Sequence, residues 1–214
     1  MLLLLVCAAL VLPGVMEAQG PILRKTWKNT FIEGCGGFAD LPKALVQVGD
    51  PTIVEIPNAV GYTTCMAAGV QLRRWLRFKF EWEKASVEGT GIFIQSSSDP
   101  TQSGTAVGKF GINPDSKMFV AEFDLWGKHR FHPFIGGGFG KTKVLSHFIG
   151  KSGEYPVVER DKDRIFDGTG RAGIRYRMKD WIELNTGVYG NDSIVIRGGI
   201  TFFPGRFFSR DHRK

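Results

Sequence analysis

The feature that most constrains this chain is a period-two alternation that recurs along it, sharpest in RFKFEWEK at residues 77–84. In an extended strand successive side chains point to opposite faces. Arg77, Lys79, Glu81 and Glu83 therefore share one face, and Phe78, Phe80 and Trp82 share the other. A water-soluble fold would bury the aromatics and wet the charges. A barrel in a bilayer would turn the aromatics to lipid and enclose the charges.

Eight segments alternate in this way: Thr30–Phe38, Tyr62–Leu72, Leu76–Ser86, Lys117–Leu125, Phe131–Lys141, Gly170–Arg177, Ile182–Tyr189 and Ser193–Phe203. No stretch reads as a long amphipathic helix, an internal repeat or a boundary between domains. The 28 glycines and the 12% aromatic share agree with a strand-and-turn protein. After the start of the chain no segment is long and apolar enough for a transmembrane helix, so a membrane span here would have to use strands.

The connectors separate the two readings. RRW, WGKHR and MKDW join strands two to three, four to five and six to seven as tight turns. Residues 39–61, 87–116 and 142–169 are long connectors, and GND after strand seven is short. Alternation of short and long connectors is the habit of an up-and-down membrane barrel, with short periplasmic turns and long outer loops. Each tight turn also carries a tryptophan: Trp75, Trp126 and Trp181. Indoles at one level suit an interfacial aromatic girdle.

The polar strand faces gather Arg77, Lys79, Arg171, Arg175, Arg177 and Arg197 against Glu33, Glu81, Glu83, Glu122, Asp124 and Glu183. The opposite faces are nearly free of charge. A narrow closed interior requires such balance, because an unpaired buried charge costs several kcal/mol. The expected fold is thus all-β: an eight-stranded antiparallel up-and-down transmembrane β-barrel with three long outer loops, aromatics outward and a lumen charge network inward. Eight strands leave an interior that side chains just fill, so a plugged lumen is expected.

Residues 1–18, with an apolar run from Leu2 to Leu12, read as a signal peptide cleaved after Ala18. Residues 19–208 then form the barrel and 209–214 a basic C-terminal tail. Cys7 would leave with the signal. Cys35 and Cys65 fall on the lumen face of the first hairpin, at a separation that permits a cross-strand disulfide.

Chemistry is thinly supplied. His147 follows Ser146, but neighbours on an extended chain point opposite ways and form no dyad. His129 and His132 lie beside a tight turn and His212 in the tail. DKDRIFDGTG lacks the spacing and closing glutamate of a calcium loop, and GGGFGKT lacks the spacing of a phosphate loop. A non-enzymatic protein with no cofactor and no metal is expected. The net charge of +7 favours anionic partners. Lys43, Lys109, Lys143, Lys151 and Arg164, placed in the long loops, could reach lipopolysaccharide phosphates. Nucleic acid is not an expected partner, since the strand arginines face the lumen and no stacking platform is evident.

HPFIGGGFGKT, GRAGIRYRMKDWIELNTGVYG and the closing GGITFFPGRFF resemble small outer-membrane β-barrel proteins, the OmpA-like or opacity-like eight-stranded porin-superfamily domains of Gram-negative bacteria. The resemblance covers nearly the whole mature chain. It implies a cell-surface, outer-membrane location, lipid contacts and a monomer. The family's closing aromatic corresponds to Phe207 and Phe208, which SRDHRK follows here. Members serve in anchoring, adhesion, defence and solute passage, so three roles stay open: a structural or surface-interaction barrel, a narrow pore for small solutes, and a soluble exported lipocalin-like ligand carrier.

Overall fold

The computed structural model describes residues 27–41, 44–47, 52–56, 59–95, 104–126, 129–152, 155–190 and 194–209. The expected signal peptide and most of the basic tail lie outside the described residues. The strands are β1 (Thr30–Leu41), β2 (Ala44–Gln47), β3 (Thr52–Ile56), β4 (Ala59–Arg73), β5 (Leu76–Gln95), β6 (Gly104–Asp124), β7 (Phe131–Ser152), β8 (Tyr155–Lys179), β9 (Ile182–Gly190) and β10 (Ile194–Phe202). A short helix, α1 (Pro204–Phe208), follows β10.

Eight strands close on themselves. β1 pairs with β4, β4 with β5, and so on in chain order to β10, which returns to β1; β5–β6 pairing completes the ring. All neighbours are antiparallel. This is the eight-stranded up-and-down barrel expected from the alternation. Closure leaves no unpaired edge in the ring. The remaining hairpin, β2–β3, lies in the first long connector and adds to the far end of β5, where Thr52 pairs with Gln95.

The long connectors differ from the sequence expectation. Residues 87–116 and 142–169 are mostly strand rather than loop. β5 and β6 stay paired out to Gln95 and Gly104, and β7 and β8 out to Ser152 and Tyr155. Their mixed polar composition hides the alternation, but Val87, Phe110 and Phe148 still point inward and are buried. Within β6, Pro114 has no N–H to give. Ladder pairing with β5 stops at Lys84–Asp115 and resumes at Val87–Ile112. The Ser86 hydroxyl donates to Asn113 Oδ1 at 2.8 Å across this break.

At the other end the strands are joined by the expected tight turns. Trp126 adopts φ 56°, the left-handed conformation that reverses the chain there. The backbone N–H of Asp124 donates to Trp75 O, and that of Phe203 to Trp181 O, both at 2.9 Å, so two of the turns are also tied to the ends of β6 and β10.

Candidate functional site

The interior is built from the odd-numbered residues of β1, β4, β5, β8, β9 and β10 and the even-numbered residues of β6 and β7. Of the twelve charges named from the sequence, ten are buried, and Glu83 and Arg177 are half-buried and ion-paired to members of that set. Lys79 Nζ lies 2.7 Å from Glu33 and 3.1 Å from Glu122. Arg171 reaches Glu81 at 2.8 Å and Glu122 at 3.3 Å. Arg175 pairs with both Glu122 and Asp124. Arg77 pairs with Asp124 at 2.7 Å and Glu183 at 2.8 Å. Arg197 bridges Glu81 at 3.0 Å and Glu83 at 3.3 Å, and Arg177 holds Glu183 at 2.9 Å. Thr63 donates to Glu83 and Thr201 to Glu33, occupying further carboxylate lone pairs. The arrangement is one connected network, closed to solvent at its centre.

The space for these long side chains comes from glycine. Lys79 stands opposite Gly69, Arg197 opposite Gly37, and Gly136 lies between Glu122 on one side and Arg171 on the other. A Cβ at Gly136 would come within 2.9 Å of Glu122 Cγ, and one at Gly69 within 2.7 Å of Lys79 Cβ. Bulk and vacancy alternate from strand to strand, so a narrow barrel accommodates residues that a uniform lining would exclude.

Aromatic rings supply faces to the guanidinium groups. Arg175 lies 3.9 Å over Phe134, and Arg197 3.8 Å over Tyr189. Such contacts stabilise cations in a desolvated site by about 2 kcal/mol or more. His132, buried at the tight-turn end, has Nε2 4.0 Å from Asp124. Tyr189, Phe134 and His132 are lumen residues that charge counting overlooked, though their strand parity marks them.

Cys35 and Cys65 stand directly opposite each other on β1 and β4 and are joined as a disulfide, with Cα atoms 5.0 Å apart. The bond lies on the lumen side, above Glu33.

The tight-turn end is capped by a device the sequence did not announce. Pro204 turns the chain after β10 into α1. This carries Phe203, fully buried, under the barrel mouth against Phe31. Arg206 stacks 3.9 Å over Phe203 and donates to Lys28 O, Asp180 O and Gln71 Oε1. Burial pushes its guanidinium down to about 10. A cavity of about 830 Å³ remains below, between Arg73, Arg177, Trp181 and Arg206. A second, of about 280 Å³, lies toward the long hairpins between Val87, Ile112, Tyr189 and Val195. No residue lines both, and the charge network fills the space between them.

The outward face is the inverse of the interior. Phe78, Phe80, Phe119, Phe123, Phe131, Ile135, Phe139, Ile174, Val188, Ile196 and Ile200 are exposed there. On β7 this apolar face runs from Phe131 to Phe139. That is about 27 Å along the strand and roughly 20 Å of height at the usual barrel tilt. Trp75 and Trp126 are exposed at the tight turns, while Trp181 packs edge-on against Phe202 and Phe207.

Of the residues considered for chemistry, Ser146 and His147 point to opposite faces of β7, and the His147 ring lies over Gly111 of β6. Lys109, Lys143 and Arg164 sit on strands rather than in loops. Lys43 and the side chain of Lys151 lie outside the described residues. Among the described residues no group of three or more His, Cys, Asp or Glu side chains is placed to hold a metal ion.

No family model matches the chain, and no curated protein sequence matches it. Among solved structures, the chain is similar to Neisserial surface protein A, at 12% identity and TM-score 0.48, over 81% of this chain and 96% of that one. It is similar to the outer membrane protein OprG of Pseudomonas aeruginosa at 11% identity and TM-score 0.46, over 82% and 90%. The N-terminal β-barrel domain of Pseudomonas aeruginosa OprF gives 9% identity and TM-score 0.41, over 82% and 97%.

Proposed function

We propose that the protein is a plugged, non-enzymatic outer-membrane β-barrel with a structural or surface-interaction role. One observation carries this reading: the barrel's polarity is inverted. Its exterior is a continuous apolar and aromatic face, and its interior is a sealed ion-pair network. In water an apolar face of this extent would drive association. In a bilayer it is the surface that hydrocarbon requires, and its height is close to the ~25 Å apolar band of such barrels.

The same observation argues against the other two roles. A carrier of apolar ligands needs a roomy apolar cavity, and here the inner pocket beside Val87, Ile112 and Val195 holds only about 280 Å³, with the ion-pair network below it. A pore needs a continuous path, and the Lys79–Glu122–Arg171 pairs fill the middle of the lumen. The long β5–β6 and β7–β8 hairpins extend beyond the apolar face and offer the surface for any partner outside the cell.

The test separates inner and outer membranes and compares unboiled with boiled samples on SDS gels. The reading expects outer-membrane fractionation, a band that shifts on boiling, and no conductance in planar bilayers. A protein purified from the soluble fraction without detergent and without a shift would overturn it.

A further inference from the structure

On β6 and β7 the aromatic part of the outward face gives way, toward the long hairpins, to positive charge, with Leu145 and Ile149 exposed again beyond it. Three rungs cross the neighbouring strands β5, β6, β7 and β8 in register. The innermost is aromatic: Phe80 pairs with Phe119 and Phe119 with Phe139. Their ring centroids follow at 5.3 and 6.4 Å, and Phe166 continues the row at 6.2 Å from Phe139. The next rung is Trp82, Lys117, Lys141 and Phe166. The one beyond is Lys84, Asp115, Lys143 and Arg164.

Lys117 and Lys141 stand directly opposite each other. Like charges in that position are destabilising unless something neutralises them. The single carboxylate in these rungs, Asp115, is already occupied: Trp82 Nε1 donates to it at 2.6 Å, and Lys84 lies 3.9 Å away. Among the described residues, Lys117, Lys141, Lys143 and Arg164 have no carboxylate partner within ion-pair distance. Four strands at their usual spacing make this patch roughly 14 Å wide, and two rungs make it about 7 Å tall.

We propose that Lys84, Lys117, Lys141, Lys143 and Arg164 form a ledge that binds the headgroup of a lipid carrying two or more phosphates. The phosphates neutralise the opposed lysines, and Arg164 offers the forked geometry that suits phosphate. The acyl chains descend over the Phe80–Phe119–Phe139–Phe166 wall. Charge complementarity and continuity with the apolar face select a lipid over a soluble anion, which would gain nothing from that wall. This inference rests on the membrane reading above.

The test uses the full chain in detergent micelles. Binding is titrated with bisphosphorylated lipid A, with lipid A stripped of its phosphates, and with inorganic phosphate. The variant Lys117→Gln/Lys141→Gln removes the opposed pair. Lys179→Gln, at the opposite rim, is the control. The expected result is saturable binding of lipid A alone, weakened roughly ten- to thirtyfold in the double variant and unchanged in the control. Equal binding of the phosphate-free lipid, competition by inorganic phosphate at matched concentration, or an unaffected double variant would each overturn the proposal. The gel shift on boiling is read in the same samples. Its loss in the parent protein would break the barrel reading itself, whereas a retained shift without phosphate dependence removes only the ledge.

Discussion

The ammonium of Lys79 on β5 lies 3.1 Å from the carboxylate of Glu122 on the neighbouring strand β6, inside the lumen, and each of the two has a glycine as a cross-strand partner on its other side. Charge and vacancy are therefore set together: Gly69 admits Lys79, and Gly136 admits Glu122. The relationship predicts what happens when either half is changed.

Glu122 touches Lys79, Arg171 and Arg175. Glu122→Gln leaves three cations around a neutral amide in a dry interior. Breaking a buried ion-pair arrangement typically costs about 3–5 kcal/mol. Urea unfolding from lipid vesicles should show a loss of that order. The double variant Glu122→Gln/Arg175→Gln should lose less than the sum of its single variants, since it restores charge balance. Additive losses would show that the pair is not coupled.

Gly136→Val tests the space rather than the charge. The added carbons meet Glu122 and the backbone of β6. Overpacking of this kind costs roughly 1–3 kcal/mol. The temperature at which the unboiled band converts to the boiled form should fall. The same substitution at Gly34, where an added Cβ meets nothing within 4 Å, should leave it nearly unchanged.

The disulfide links residues 30 apart in sequence. Closing a loop of that size stabilises by about 3–4 kcal/mol in the chain-entropy account. Neither Cys35 nor Cys65 should react with an alkylating reagent until the protein is unfolded and reduced. Cys35→Ser/Cys65→Ser should unfold at lower urea. Two freely alkylated thiols in the untreated protein would remove the bond from the account.

Ile135→Arg places a charge at the middle of the outward apolar face of β7, where Ile135 is exposed between Phe131 and Phe139. On a membrane-exposed face an arginine at midplane costs about 2–4 kcal/mol, whereas Ile135→Leu should cost little. Refolding yield into vesicles, compared between the two variants, reads the difference. Equal yields would mean that residue 135 does not meet hydrocarbon.

Much of this was legible in the sequence because alternation is a local property. RFKFEWEK assigns its own faces, and once they are assigned the charges on eight strands sum to a balanced interior. The opposition of Cys35 and Cys65 follows from the same parity plus their comparable distances from the middle of the first long connector. What escaped reading depends on distant register or on weak local signal. The outer parts of β5 to β8 mix polar and apolar residues on both faces, so nothing in residues 87–116 or 142–169 alternates cleanly. Lys143 and Arg164 therefore read as loop residues, although they stand in register with Lys84 and Asp115. Arg206 escaped for a different reason. A five-residue helix that begins at Pro204 carries no period, and the partner of Arg206, Gln71, is remote in the chain.

The central claim is that this barrel turns its aromatics to lipid and its charges inward. A fluorophore attached at Phe119→Cys, with Cys35 and Cys65 left in their disulfide, measures it most directly. The protein is refolded into vesicles, and quenching is compared between brominated acyl chains and aqueous iodide. The account predicts strong quenching by bromine and little by iodide. Protection from both, as in the core of a water-soluble protein, or quenching by iodide alone, would contradict it.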